Sequence, residues 1–231
     1  MEKEGISHIE VVLAFILFIS FLFFAWYFFN PFHNTRLLDS SLNYATTSII
    51  DNASIALITY AVKINESLPD LYIIINISGI PENMNVDIRN ISENLIQSSR
   101  EGNDVSISNT GIKRGDVLYI RFSEDFPSSS FSDGIRIAHE IASVNNEKVI
   151  SEKRILELNR SYYLDQSNLK ENFNLPSRID FGFGLIFSEN DKIIADTAVP
   201  KGSEVFSDSK RVEVLRTNGK MQFADLLVKV W

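Results

Sequence analysis

The sequence is 231 residues long, with 22 basic and 30 acidic side chains, 45% hydrophobic residues, a mean hydropathy near zero and no cysteine. The net charge of −8 excludes a basic nucleic-acid-binding protein, so no nucleic acid is expected among the partners. The composition also excludes a disordered chain and a protein that crosses a membrane many times. Without cysteine there is no disulfide framework and no cysteine-based zinc or redox site.

An uncharged apolar run occupies residues 11–29 and contains seven of the seventeen phenylalanines. At about 1.5 Å per residue a helix of this length covers nearly the hydrocarbon core of a bilayer. Trp26 and Tyr27 lie near its end, as in an interfacial aromatic belt. We predict a transmembrane helix over residues 6–30 that stops or kinks at Pro31. The alternatives are a core helix, which would carry a polar stripe, and a secretory signal, whose apolar region is usually shorter.

The residues before this run combine a glycine, an apolar residue and a carboxylate at fixed spacing. Gly5 precedes Ile6, and Glu10 follows the glycine by five positions, directly against the apolar run. Ser7 and Glu10 also form an S-x-x-E capping box, which is compatible with any processing at this site. The arrangement resembles the processing site of type IV pilin-like proteins, particularly archaeal pilins and archaellins with class III signal peptides. The resemblance covers about the first 30 residues.

The resemblance implies specific roles for these residues. A prepilin-type peptidase would cut after Gly5, so that residues 1–5 are a leader peptide and Ile6 becomes the amino terminus. Glu10 would be the carboxylate that governs assembly, because a subunit's free α-amino group can neutralise this costly charge in a filament core. The implied partners are membrane lipid, the peptidase and like or related pilin subunits that pack through the N-terminal helix.

We infer the orientation of the span from the unequal lengths of chain on its two sides. Charge gives little guidance, since residues 1–10 hold one lysine against three glutamates. We expect a single-pass protein of the cell membrane with its carboxyl-terminal domain outside, where it can be assembled into an extracellular filament. Five asparagines precede x-Ser and are compatible with glycosylation outside the cell, although a chain rich in Asn and Ser also produces such sequons by chance. They are Asn52, Asn65, Asn76, Asn90 and Asn159.

The rest of the chain predicts an α+β fold, in which the long N-terminal transmembrane and stalk helix is followed by a mainly β globular domain. Apolar residues recur at helical spacing over residues 37–54, which indicates an amphipathic stalk helix within residues 31–54. Residues 55–231 form an extracytoplasmic domain, either an antiparallel sheet or a sandwich. Its strands are predicted at residues 55–64, 71–77, 104–107, 117–122 and 181–187.

Two further elements are predicted toward the end of the chain. A short helix is expected over residues 161–173, where Tyr162, Tyr163, Leu169 and Phe173 share a face. A hairpin is expected around Asn218-Gly219, whose residues suit a type I′ turn. Trp231 follows this hairpin and is predicted to be buried, with presentation to a partner as the alternative.

No motif in the domain predicts catalysis, a cofactor or a metal site. His139-Glu140 begins like a zinc-protease helix, but Ser143 stands where the second histidine is needed. Gly182 and Gly184 alternate with phenylalanine as in a closely packed strand, and no phosphate-binding lysine follows. We therefore predict a structural or adhesive pilin-like subunit. The alternatives are a membrane-tethered binding domain that does not polymerise and, less favoured, a hydrolase that uses His139.

Overall fold

The computed structural model describes residues 8–29, 32–66, 71–109 and 111–231. Two helices come first and two more interrupt the strands: α1 (His8–Phe29), α2 (Phe32–Ala53), α3 (Glu152–Leu164) and α4 (Gln166–Asn172). The strands are β1 (Ser54–Ile64), β2 (Tyr72–Asn76), β3 (Asn85–Asn90), β4 (Leu95–Ile96), β5 (Ser98–Glu101), β6 (Asp104–Ser108), β7 (Val117–Ser123), β8 (Ile135–Arg136), β9 (His139–Ser151), β10 (Phe181–Ser188), β11 (Asp191–Ala195), β12 (Phe206–Leu215) and β13 (Met221–Val230). An apolar N-terminal helix followed by a mainly β domain confirms the α+β fold class.

Helix α1 is apolar on all sides. By length and composition, the stretch Glu10–Tyr27 can cross a membrane, and a signal sequence has the same properties. None of this stretch is buried against the rest of the described chain. The break predicted at Asn30-Pro31 lies outside the described residues, as do Gly5 and Ile6.

Helix α2 is amphipathic and coincides with the helix predicted over residues 31–54. Its buried side chains, Ser41, Ala45, Ile49 and Ala53, follow one another at intervals of four residues and so form one stripe. This stripe packs against β12 and β13, and the two alanines allow close approach to the sheet. Tyr44 lies on the opposite face and is exposed.

Nine strands form the main sheet in the order β11-β10-β13-β12-β9-β1-β7-β3-β4, and four form a smaller sheet in the order β5-β6-β2-β8. Within the main sheet all neighbours are antiparallel except β12 and β9. These two strands pair in parallel at only two positions, Val214 with Ile150 and Leu215 with Ser151. The main sheet therefore consists of two antiparallel halves joined by a very short ladder.

Each half of the main sheet is covered by a different layer. Helices α2, α3 and α4 cover the half made of β10–β13, where Phe181, Phe183 and Leu185 face the buried Tyr162 and Phe173. The smaller sheet covers the half that contains β1, β7 and β3 and forms a sandwich with it. One half of the domain is thus a sheet covered by helices, and the other half is a sandwich of two sheets.

Strand β10 shows why glycine alternates with phenylalanine. The phenylalanines face the helices, and Gly182 points to the other side of the sheet. A Cβ atom on Gly182 would lie 3.0 Å from the carbonyl oxygen of Ala195 and 3.1 Å from Lys229 Cε. This close approach supports the structural interpretation of the glycine. A tight turn follows this strand, because β10 ends at Ser188 and β11 begins at Asp191.

The helix predicted over residues 161–173 was wrong in its boundaries. Helix α3 begins at Glu152, because Ser151 caps it by accepting the N–H of Arg154 at 3.3 Å. Asp165 then ends α3 and caps α4 by accepting the N–H of Asn168 at 3.0 Å. One predicted helix is therefore two, separated by a capping aspartate. The placement of Tyr163 on the same face as Tyr162 was also wrong, because Tyr163 is exposed and Tyr162 is buried.

The predicted hairpin is formed by β12 and β13, but the predicted type I′ turn was wrong. The N–H of Gly219 donates to the carbonyl oxygen of Arg216 at 2.9 Å, so Thr217 and Asn218 are the central turn residues, and Gly219 follows them at a φ of +77° whereas Asn218 has no positive φ. Strand β12 begins at Phe206, earlier than the sequence indicated. Trp231 is 9% exposed, and its backbone exchanges two hydrogen bonds of 3.0 Å with Asp180. The prediction that Trp231 is buried is confirmed.

Candidate functional site

Of the residues assigned to processing and assembly, the structure describes Glu10. It is an exposed side chain in the first turn of α1, at the border of the apolar stretch. A carboxylate suits this end of a helix because the unpaired N–H groups carry partial positive charge. Gly5 and Ile6 lie outside the described residues, so their roles stay predictions.

The five sequon asparagines lie in different environments. Asn65 and Asn52 are exposed, and Asn52 Nδ2 donates to the carbonyl oxygen of Ser48 at 2.7 Å. Asn76 is also exposed, and its Nδ2 donates to Asp104 Oδ1 at 2.7 Å. A glycan on Nδ2 would compete with these two bonds. Glycosylation at these sites stays a prediction.

The remaining two sequons are built into the fold. The half-buried Asn159 donates from Nδ2 to the carbonyl oxygen of Ile194 at 2.8 Å, which joins α3 to β11. Asn90 Oδ1 accepts the N–H groups of Ser92 and Asn94, both at 3.0 Å, and so closes the turn between β3 and β4. In this conformation the Asn159 amide is already occupied.

His139, the histidine considered for catalysis, is the first residue of β9. It is half-buried, and its Nδ1 lies 3.4 Å from the carbonyl oxygen of Ile137. Within the described ranges, no group of three or more His, Asp or Glu side chains is placed to hold a metal ion.

The structure brings together a set of polar side chains that the sequence analysis did not single out. They lie on the face of the main sheet opposite the smaller sheet. The register places Asp87 of β3 beside Arg121 of β7, Arg121 beside Thr59 of β1, and Thr59 beside Asn145 of β9. Direct cross-strand partners share a face, so these four residues form one polar row across four strands.

One end of this row is covered by the tip of the β12–β13 hairpin. Arg89, which is 2% exposed, donates from Nε to Asp87 Oδ1 at 2.8 Å and from Nη2 to the carbonyl oxygen of Asn218 at 2.9 Å. Its Nη1 donates to the carbonyl oxygen of Glu93 at 3.0 Å. A Cβ atom on Gly219 would lie 2.6 Å from Asp87 Oδ2, so the turn needs glycine for space as well as for its positive φ. This buried guanidinium fastens the hairpin to β3.

Beside the covered end, the polar row lies in an open groove of about 550 Å³. Strands β1, β7 and β9 line it from below, and the turn after β3 and the β12–β13 hairpin contribute its sides. The lining residues are Leu57, Thr59, Glu93, Tyr119, Arg121, Asn145, Glu147, Glu213, Lys220 and Met221. Its volume lies in the range typical of small-molecule sites.

Arg121 is the least exposed polar residue of the groove, with 9% of its side chain accessible. Its Nη2 donates to Glu93 Oε1 at 2.8 Å. Its Nη1 is buried and has no hydrogen-bond partner in the described part of the chain. A buried donor without an acceptor is costly, so Nη1 is a donor that a ligand oxygen would satisfy.

The opposite side of the groove carries carboxyl groups. Burial raises the pKa of Glu213, the charge of Glu147 raises it further, and Arg121 opposes both effects. These three side chains therefore share one electrostatic environment. The groove combines hydrogen-bond donors with acceptors, which suits binding of a polar ligand.

Comparison of the chain with protein-family models, with curated proteins and with solved structures gave no match.

Proposed function

We propose that this protein is a single-pass membrane subunit of a type IV pilus-like surface filament, or of the machinery that assembles one. Its role is structural or adhesive rather than catalytic. The observation that carries the proposal is helix α1, which is exposed and apolar on all sides over Glu10–Tyr27 and has a single carboxylate at its amino-terminal edge.

A helix without a polar face needs an apolar environment all around it. Lipid provides that environment for a separate subunit, and the α1 helices of neighbouring subunits provide it within a filament core. Glu10 is costly in either setting unless a positive charge neutralises it. The free α-amino group of another subunit, produced by cleavage after Gly5, supplies that charge.

The remaining parts fit this arrangement. Helix α2 follows α1 and buries its apolar stripe in the domain, so the domain is anchored close to the membrane or filament axis. The β domain then forms the outer surface. In this proposal the partners are membrane lipid, a prepilin-type peptidase and like or related subunits of the archaeal kind.

Intact-mass measurement of the protein isolated from its native membrane tests the processing step. The expected result is loss of residues 1–5, with Ile6 as the new amino terminus. Gly5→Val is the matched variant that should retain the leader. An unprocessed amino terminus in the native protein would leave the filament proposal without its first step.

A second experiment tests assembly separately. Glu10→Ala should leave membrane insertion and cleavage unchanged and abolish filament formation, scored by electron microscopy and by the sheared surface fraction. Glu157→Ala, an exposed change on α3, is the control and should assemble normally. Wild-type assembly by Glu10→Ala would contradict the role given to this carboxylate.

The groove on the β domain favours a second candidate, a tethered extracytoplasmic binding domain that does not polymerise. This alternative predicts an unprocessed protein that remains in the membrane as separate subunits. The mass and assembly measurements above therefore distinguish the two functions.

A further inference from the structure

We propose that the groove between the polar row and the β12–β13 hairpin binds a neutral saccharide of one or two rings. This inference concerns the β domain and does not depend on whether the protein forms filaments. It rests on the balance of donors and acceptors in the groove, on the unpartnered Nη1 of Arg121 and on the apolar surface between the polar groups.

The charges of the groove argue against a simple ion. Three carboxylates, of Glu93, Glu147 and Glu213, face two cations, of Arg121 and Lys220. An anion in the groove would be repelled by the carboxylates. A cation would be repelled by the Arg121 guanidinium at the floor of the groove. A neutral ligand avoids both repulsions.

The ion pairing of Arg121 favours a hydroxyl group over a carboxylate as its ligand. The ion pair with Glu93, at 2.8 Å, already neutralises the guanidinium. A second carboxylate on Nη1 would therefore gain little attraction and would approach Glu93. A neutral oxygen accepts from Nη1 without that penalty, which disfavours a free amino acid whose carboxylate would bind there.

Sugar hydroxyls match the rest of the lining because each can donate one hydrogen bond and accept others. They can donate to Glu147 and Glu213 and accept from the exposed side chains of Asn145 and Lys220. The half-buried Tyr119 supplies apolar ring surface for the C–H face of a sugar ring.

Access to Nη1 requires a side chain to move, since this atom is covered in the unliganded protein. Lys220 and Met221 line the groove beside it, and both are long and flexible. Their displacement would expose Nη1 of Arg121. A sugar hydroxyl that enters would then accept the hydrogen bond that Nη1 does not make in the unliganded protein. The fixed sheet below, held by the Arg89 contacts, keeps the remaining groups in place.

The test uses the full chain in detergent micelles. A panel of neutral mono- and disaccharides that covers the gluco, galacto, manno and N-acetylhexosamine configurations is screened by saturation-transfer NMR at millimolar concentration. Binding members are then titrated by calorimetry. Free amino acids and a lysine-rich peptide are the competing probes.

We expect at least one neutral saccharide to bind, and Asn145→Ala and Glu147→Ala each to weaken its binding roughly tenfold, the loss that follows from removing one hydrogen bond to a charged or amide group. Both positions are on β9 away from the buried core, so the variants should fold, and circular dichroism checks this. Arg121→Lys keeps the charge but loses the planar donor and should also weaken binding. Glu157→Gln, exposed on α3, is the matched control and should bind as the wild type does.

Absence of binding across the panel would overturn the proposal. So would binding of amino acids or the basic peptide in place of sugars, or saccharide binding that the three groove variants leave unchanged.

Discussion

Replacing Arg89 with methionine removes the side chain that fastens the β12–β13 hairpin to β3. The arginine donates to both carboxylate oxygens of Asp87, at 2.8 and 3.2 Å, and to the carbonyl oxygens of Glu93 and Asn218. Methionine has a similar length and fills much of the space without any donor. The substitution therefore isolates the polar contribution of Arg89 from its volume.

The magnitude follows from burial. Arg89 and Asp87 have side-chain exposures of 2% and 9%, so solvent does not screen them. Removing one partner of a buried pair costs about 3–5 kcal/mol, because the other charge stays buried without compensation. Arg121 stands opposite Asp87 in β7 and compensates part of that charge, which places the expected loss toward about 3 kcal/mol. For a domain of this size the midpoint of thermal unfolding should fall by roughly 6–12 °C.

The assay is thermal and urea unfolding of the full chain in detergent, followed by the β-sheet circular dichroism signal. Arg136→Met is the matched control, since Arg136 pairs with Asp104 on the surface with 68% of its side chain exposed, and it should cost at most about 1 kcal/mol.

The double variant Asp87→Asn/Arg89→Met removes the orphaned charge and should be more stable than Arg89→Met alone. If Arg89→Met costs no more than Arg136→Met, or if the two changes at 87 and 89 add independently, the reasoning is refuted.

Three further variants test other features. Gly219→Ala should destabilise the protein more than Gly202→Ala does. Both glycines have positive φ, but only at Gly219 would the new Cβ atom meet Asp87 and Arg89. Equal melting points for the two variants would contradict this. Tyr162→Phe should cost about 1–3 kcal/mol in urea unfolding, since its buried hydroxyl donates to the Phe181 carbonyl at 2.7 Å, whereas the exposed Tyr44→Phe should cost almost nothing. Glu213→Gln should not lower the unfolding free energy at neutral pH and should make stability less dependent on pH. The raised pKa means that the folded state favours the protonated form of Glu213. The wild-type contribution to stability therefore declines as pH rises above the ordinary carboxyl pKa of 4.5 and through the higher folded pKa, and a larger loss for the variant at neutral than at acid pH would refute this.

The elements predicted correctly from the sequence are those with one-sided apolar patterns. Strands β1, β7 and β10 carry runs of β-branched and aromatic residues, and α2 carries its stripe at intervals of four. The position of the β12–β13 turn was recognisable because glycine at positive φ is a local requirement, although the turn type was not. These signals depend on residues close together in the chain.

Six strands were not predicted, namely β3, β4, β5, β8, β9 and β11. For β9 and β3 the reason is that their environments are not local. Strand β9 is polar and largely exposed between His139 and Lys148, so it shows no alternation, and its long pairing with β1 decides its conformation. Strand β3 buries Asp87 and Arg89. Charged residues of this kind indicate a surface position in the sequence, but in the structure the hairpin tip covers them. Asn218, which completes that pair, is 129 positions away from Arg89.

The groove could not be predicted for the same reason. Its residues come from five strands and two turns, and no spacing within one segment marks them. The processing residues, by contrast, are adjacent in the chain, which is why they could be proposed from the sequence.

The two-position ladder between β12 and β9 has a mechanical consequence. The helix-covered half and the sandwich half each bury their own core. They are joined by this ladder, by the hairpin tip that Arg89 holds, by the small cluster around Leu57 and Leu215, and by ion pairs of α3 with Glu124 and Asp125. Under a pulling force the seam should part before either core unfolds, so the protein would lengthen in a reversible step. When the force is released the two halves should rejoin, with the hydrogen bonds of Arg89 forming again.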